Sequence, residues 1–338
     1  MADHTEWGVG LWRMADLTVP MALRVAATLR VADHLTAAPR TAEELARAVR
    51  AEPRALDRTL RHLVTAGVLA RDARGAYTLT DRGQALRDDH PHGMRSRLDI
   101  EGAVGRAELS LGALLHAVRT GELAYATYYG RPFWDDLAAD PALSDSFDAV
   151  MEFNLRKVAP SVLKAYDWGA LARVADVGGG NGALLVHLLS GHPELHGTLV
   201  ELPGPAAAAR DAFARAGLAD RVAIVEGSFF DPLPPGADAY LLSDVLHNWD
   251  DDAAVTILRR CAQAAGAAGR VLVIGGLGED GESPSTEMDM RMLAYFGGRE
   301  RDLAELTGLA RRAGLTVAAV HRAADMSVVE LTCQEEPA

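Results

Sequence analysis

Cysteine is almost missing from this 338-residue chain: only Cys261 and Cys333 occur. They match no metal-ligand spacing, and two such residues cannot build a disulfide framework. No apolar run reaches the roughly 18 residues that a membrane-spanning helix needs. The opening "MADHTEWGVG" lacks a cationic stretch followed by an apolar one, so no secretory leader is expected. With so little cysteine, the expected compartment is the reducing cytoplasm. Positive charge is short as well. Thirty-four Lys and Arg against 47 Asp and Glu leave a formal net charge of −13, which argues against nucleic acid as the main partner, since phosphate backbones require clustered cations. Low-complexity segments and internal repeats are also missing. What remains is 49% hydrophobic and 24% charged, an ordinary globular composition long enough for two domains.

The first part reads helical. "LTVPMALRVAATLRVADHL" (17–35) predicts a helix with Met21, Val25, Leu29 and Val31 on an apolar stripe broader than one core requires. Such a helix suits either a dimer interface or burial in its own chain. Thr41 and Glu44 have the spacing of a capping box, Glu52-Pro53 separates the next helix, and "VLARDARGAYTLT" predicts a hairpin turning at Arg74-Gly75. Helix, turn, helix, hairpin is a winged-helix layout, and winged helices often bind DNA. Residues 41–87 hold nine arginines against six acids. The helix that would read bases, 54–66, has no Asn or Gln and spends Leu56, Leu60, Leu63 and Val64 on packing. A structural module for dimerisation is the better reading. Residues 90–166 are mostly helical, and Phe147 and Met151 stand one turn apart, fit either for core packing or for the wall of an aromatic pocket.

From residue 171 strand and helix alternate, which predicts a doubly wound α/β domain. Its first strand leads into "DVGGGNGA", with Gly178, Gly180 and Ala183 at dinucleotide-fold spacing and Glu201 ending the next strand. The glycines admit a ligand close to the backbone, and the acid accepts ribose hydroxyls. NAD and S-adenosylmethionine both fit that pattern. Asp176, just before the glycines, would repel a pyrophosphate and tolerate a cation, and no second α/β half exists to hold a nicotinamide. The sulfonium ligand is favoured.

"LLSDVLHNWDDD" (241–252) then sets His247 where an apolar strand runs into an acidic helix start. It suits either a loop residue steadied by Asp250–Asp252 or a general base at the carboxyl edge of a parallel sheet. Together with "DVGGGNG", "VEL", "VEGSFFDPLP" and "GGRERDLAEL", this stretch resembles the class I S-adenosylmethionine-dependent small-molecule O-methyltransferases, in the actinobacterial branch that acts on aromatic polyketides.

That resemblance implies a Rossmann-like methyltransferase domain at 169–338. A helical linker and substrate lid would occupy 101–168, and a helical winged-helix dimerisation domain 1–100, pairing two chains through the N-terminal helices. His247 would be the catalytic base, oriented by Glu300. Asp176, Gly178 and Gly180 would line the methionine end of the cofactor, with Glu201 at the ribose and Ser228 and Phe229 beside the adenine. Relatives often carry an acid at Ser228 and a lysine at Ser243, so the adenine contacts differ here. Phe147 and Met151 would wall the acceptor pocket. The family's second histidine-orienting acid belongs on "VLVIGGL", where this chain has Gly275. The expected reaction methylates a phenolic hydroxyl of a naphthoic-acid-like substrate in natural-product biosynthesis, without a metal. Arg13, Arg291 and Tyr295 are candidates to anchor its carboxylate, because a guanidinium fork matches a carboxylate bidentately. Arg291 also has Glu287 and Asp289 within ion-pair reach. Two alternatives stay open: a DNA-binding regulator with a vestigial cofactor domain, and diverted chemistry such as decarboxylation or hydroxylation.

Overall fold

The computed structural model of this chain describes residues 4–278, 281–323 and 326–334, and it divides into two units, Met1–Leu109 and Ser110–Ala338. In the first unit the capping box at Thr41 is formed. The Thr41 hydroxyl accepts from the Glu44 amide, while the Glu44 carboxylate accepts from the Thr41 amide at 2.8 Å. Glu52 caps the helix Pro53–Thr65, and β1 (Leu69–Arg71) pairs antiparallel with β2 (Tyr77–Leu79). Leu45, Leu60, Leu63 and Tyr77 are fully enclosed in its core.

The single helix expected over 17–35 is instead two, Thr18–Thr28 and Val31–His34, broken at Arg30 with φ 53°. A left-handed arginine costs about 1–2 kcal/mol. The turn is compensated because it delivers Val31, Ala32 and Leu35 to the core, and because Arg30 pairs with Asp33 and Asp88.

The second unit is built on a seven-stranded sheet. Five strands run parallel: β3 (Arg173–Val177), β4 (His196–Glu201), β5 (Val222–Glu226), β6 (Ala239–Ser243) and β7 (Arg270–Gly275). A closing pair, β8 (Leu315–Ala323) and β9 (Met326–Cys333), adds antiparallel strands, giving the order β5-β4-β3-β6-β7-β9-β8. The order reverses between β3 and β6, so a crevice opens at the carboxyl ends of those strands. Both faces carry helices. Leu184, Leu185 and Leu188 pack on one side, and Ile257, Leu258 and Leu309 on the other. Among the described residues no helix is long and apolar enough to cross a membrane, and no His, Cys, Asp and Glu cluster is suited to a metal ion.

Candidate active site

The glycine turn after β3 is shaped by its surroundings. Gly178, Gly180 and Gly182 all have positive φ. Gly179 is required for a different reason: a Cβ there would lie 2.3 Å from an Asp176 carboxylate oxygen. Asp176 is fully enclosed under the turn, and neither of its oxygens has a hydrogen-bond partner. Enclosed this way, its carboxylate is placed to influence a ligand above the turn by charge rather than by contact. Burial, then the nearby Glu201, push its carboxyl up to about 7. Glu201 accepts from the Gly180 amide at 2.9 Å and the Leu202 amide at 2.7 Å. Burial still raises its pKa, against the pull of those two amides.

Sequence reasoning missed a further acid here. Asp148, on the helix Pro141–Ala165, lies beside Gly180, 3.9 Å from where a Cβ would stand. Its carboxyl too is pushed up to about 7, by burial first and then by Glu201, Asp145 and Glu152. The same helix meets the turn again where Asn181 donates to Glu152 at 3.1 Å. Carboxylates that resist ionisation together, one with both oxygens orphaned, suit a cationic ligand and would reject a pyrophosphate. These residues fit a sulfonium.

At the next strand ends, Ser228 accepts from the Phe230 amide in the turn after β5. The Phe229 ring lies 3.1 Å from where a Gly178 Cβ would be and meets Trp249 edge to face. Ser243 closes β6, half-buried. The strand stops there, earlier than the sequence suggests. Asp244 turns left-handed (φ 51°), and a short 3-10 turn, Leu246–Asn248, carries His247.

His247 Nδ1 meets a Glu300 carboxylate oxygen at 2.9 Å. The "GGRER" segment makes that meeting possible. Gly298 has no room for a side chain, since a Cβ would sit 2.0 Å from the His247 carbonyl. Arg301, nearly buried, donates to the Leu246 and Trp249 carbonyls at 2.8 Å and to Asp251 at 2.9 Å, fastening the 246–251 loop. The Glu300 amide is itself held by Asp289 at 2.9 Å. Burial would depress the imidazole's pKa; the Glu300 hydrogen bond and the charges of Asp244 and Glu300 outweigh it, and the pKa is raised.

Beside the histidine lies a box of rings. Phe147 meets Phe133 and Trp134 edge to face, and Trp134 stacks on Phe296 and faces Trp249. Met151, one turn from Phe147, is 37% exposed. Trp134 and Phe296 belong to this box and were not singled out in the sequence, where isolated aromatics carry no periodic signal. Of the candidate anchors, Tyr295 is buried, and Arg291 pairs with Glu287 at 2.7 Å, as its spacing allows. Arg13 belongs to the other unit, exposed on the helix His4–Ala15.

Comparison with known proteins agrees with this architecture. Residues 111–316 match the model of an O-methyltransferase domain, and residues 12–89 that of an O-methyltransferase dimerisation domain. The chain is 54% identical, over 96% of its length and 97% of the relative's, to a 2,7-dihydroxy-5-methyl-1-naphthoate 7-O-methyltransferase of Streptomyces carzinostaticus. It is 47% identical, over 97% of its length and 91% of the relative's, to the aclacinomycin 10-hydroxylase RdmB of Streptomyces purpurascens. Its fold superposes with a TM-score of 0.92, at 53% identity and covering 96% of this chain and 98% of the other, on the crystal structure of the O-methyltransferase NcsB1 from neocarzinostatin biosynthesis in complex with S-adenosylmethionine and 2-hydroxy-5-methyl naphthoic acid. Glycine turn, histidine–glutamate pair and N-terminal module thus find their common setting: the chain belongs to the O-methyltransferase family that joins a dimerisation domain to an O-methyltransferase domain.

Proposed function

We propose that this enzyme methylates a phenolic hydroxyl of a hydroxynaphthoic-acid-type substrate, using S-adenosylmethionine. The observation that carries the reading is the His247–Glu300 pair at 2.9 Å. With Nδ1 engaged by the carboxylate, Nε2 is the nitrogen left to take a proton. S-adenosylmethionine, when bound, supplies a methyl group already activated on a sulfonium. The residues then have modest work. Asp176 and Asp148 offset the cation's charge, and Glu201 takes the ribose hydroxyls. The turn glycines, with Ser228, Phe229 and Ser243, border the rest of the cofactor. Phe147, Met151 and Trp134 hold the acceptor ring, and Trp249 and the Phe229 ring help exclude water. A phenol of pKa about 10 is mostly protonated at neutral pH, and His247 removes that proton as the oxygen attacks. The substrate class rests on the naphthoate-processing relative and on the naphthoic acid bound to NcsB1. Labelled cofactor and a dihydroxynaphthoic acid test it by mass spectrometry, because a product lacking the label rules out methyl transfer.

One relative favours a second reading. RdmB is a hydroxylase at 47% identity, and the same labelling experiment would reveal an unlabelled, oxygenated product. Among the candidate anchors, at least one of Arg13, Arg291 and Tyr295 holds the acceptor's carboxylate. Replacing the right arginine by alanine should cost the aryl acid about 1.5–3 kcal/mol in kcat/KM and its methyl ester much less. Equal losses on both substrates would remove the clamp. We assign residues 101–168 to a linker and lid, and 1–100 to the dimer-forming module.

A further inference from the structure

Sequence reasoning left one gap in the site, the acid missing at Gly275, and the structure holds another acid at that place. Gly275 ends β7, and Asp244 follows the end of the neighbouring β6, its amide donating to the Ile274 carbonyl at 2.9 Å. A Cβ built on Gly275 would stand 3.4 Å from the Asp244 carboxylate oxygen. A carboxylate reaching out from position 275 would therefore compete with that of Asp244 for the same space. The left-handed backbone of Asp244, φ 51°, is what turns its side chain off the strand. Aspartate and asparagine tolerate that conformation better than most residues do. Asp244, His247, Gly275 and Glu300 line one cavity of about 50 Å³, room for one or two waters.

We propose that Asp244 is a positioning residue for His247, supplying from the end of β6 the second carboxylate that β7 lacks, so that the imidazole works between two acids rather than one. The proposal rests on the reading of His247 as the base. The groups facing the ring are few. Glu300 and Arg301 come from the segment after the helix Thr286–Tyr295, and Arg299 lines the same cavity. The charges of both arginines are shared with Asp251. The end of β7 and the residues just after it contribute only uncharged groups, Val273, Ile274, Gly275, Gly276 and Leu277. Asp244 is exposed; desolvation raises its carboxyl, His247 draws it down and Glu300 raises it. A proton on the ring is thus stabilised by the charges of both carboxylates.

The test reads the histidine itself. In protein bound to S-adenosylhomocysteine, the His247 ring is titrated by nitrogen-15 NMR, with His247→Gln identifying its resonances. Asp244→Asn keeps the left-handed backbone and removes the charge. It should weaken proton binding at His247 by about tenfold and move the acidic limb of kcat/KM to lower pH by the same factor. In an Asp244→Ala background, Gly275→Glu should return the lost proton affinity by placing the acid on the neighbouring strand. A His247 titration unmoved by Asp244→Asn overturns the proposal. So does a loss confined to KM for the acceptor, which would make Asp244 a binding group, or a folded double variant in which nothing returns. Full turnover in His247→Ala would instead remove the base reading, while the NMR titration would still report on the Asp244–His247 pair.

Discussion

In the proposed reaction, the Glu300 carboxylate decides which nitrogen of His247 is free to work. Its hydrogen bond at 2.9 Å fixes Nδ1, and general-base assistance of this kind is typically worth 10²–10⁴-fold. His247→Ala should therefore lower kcat by about that factor, while calorimetry finds cofactor binding unchanged. A variant that keeps its turnover would show that positioning alone suffices. Both members of this pair were legible in the sequence, because "LLSDVLHNWDDD" and "GGRERD" are family-specific strings. Asp148 and Asp244 were not. Asp148 sits on a helix whose neighbouring Phe147 and Met151 read as an apolar wall. Only the packing of that helix against the glycine turn places its carboxyl beside Gly180. The position of Asp244 depends on a single backbone angle and on the glycine of an adjacent strand, neither of which has a local sequence signal.

At the scale of elements, two glycine-containing segments set the chemistry, and each admits a direct test. Gly298 lets the loop bearing Glu300 rest on the His247 backbone, where a Cβ would come within 2.0 Å of a carbonyl oxygen. Backbone atoms cannot swing aside, so Gly298→Ala should cost about 1–3 kcal/mol of stability, the usual range for overpacking. It should also separate the pair, seen as a fall in kcat larger than the fall in thermal midpoint explains. Activity as in wild type would mean that the loop has more freedom than its contacts suggest. The turn after β3 acts, in the proposed reading, through the charge of its acids. Asp176 and Asp148 have carboxyls raised to about 7, so the free protein holds protons that the unfolded chain sheds near 4. The contribution of these two groups to stability accordingly falls as pH climbs from about 4 through 7. A bound cation favours the ionised acids. If one such group must lose its proton on binding, affinity for S-adenosylmethionine should rise about tenfold between pH 6 and pH 8. S-adenosylhomocysteine, which lacks the sulfonium charge, should change less. Equal pH dependence for both ligands, measured by calorimetry, would count against this assignment. The strand–helix alternation that forms the sheet was readable from composition, since parallel strands buried on both faces are continuous apolar runs. The break at Arg30 was not, because its cause lies in Asp88 and in the core beneath Val31.

For the whole molecule, the unexplained quantity is exposed apolar surface. Leu11, Trp12, Met14 and Leu17 are between 68% and 85% exposed at the start of the chain, on and just after the helix His4–Ala15. Single exposed hydrophobics need no explanation, but four neighbours this bare are what an association surface would present. The segment falls at the edge of the match to an O-methyltransferase dimerisation domain, which begins at residue 12. Pairing of two chains through it would bury the indole of Trp12, and large aromatics carry a disproportionate share of interface energy. Wild-type protein at about 10 µM should accordingly sediment as a dimer, since association that buries a large apolar surface commonly gives dissociation constants at or below micromolar. Trp12→Glu combined with Met14→Glu should sediment as a monomer, because each substitution would leave a charge desolvated across the interface. The far-ultraviolet spectrum should stay nearly unchanged, because these exposed residues lie outside the core of their own unit. A double variant that remains dimeric would place the interface elsewhere, and a monomeric wild type would leave the bare helix without a partner of its own kind. Arg13 lies between the two substituted positions, so the same variant also reports on the carboxylate clamp. If Arg13 reaches the acceptor across the dimer, dissociation should reduce kcat/KM for the aryl acid more than for its methyl ester. Equal reductions would confine Arg13 to the interface.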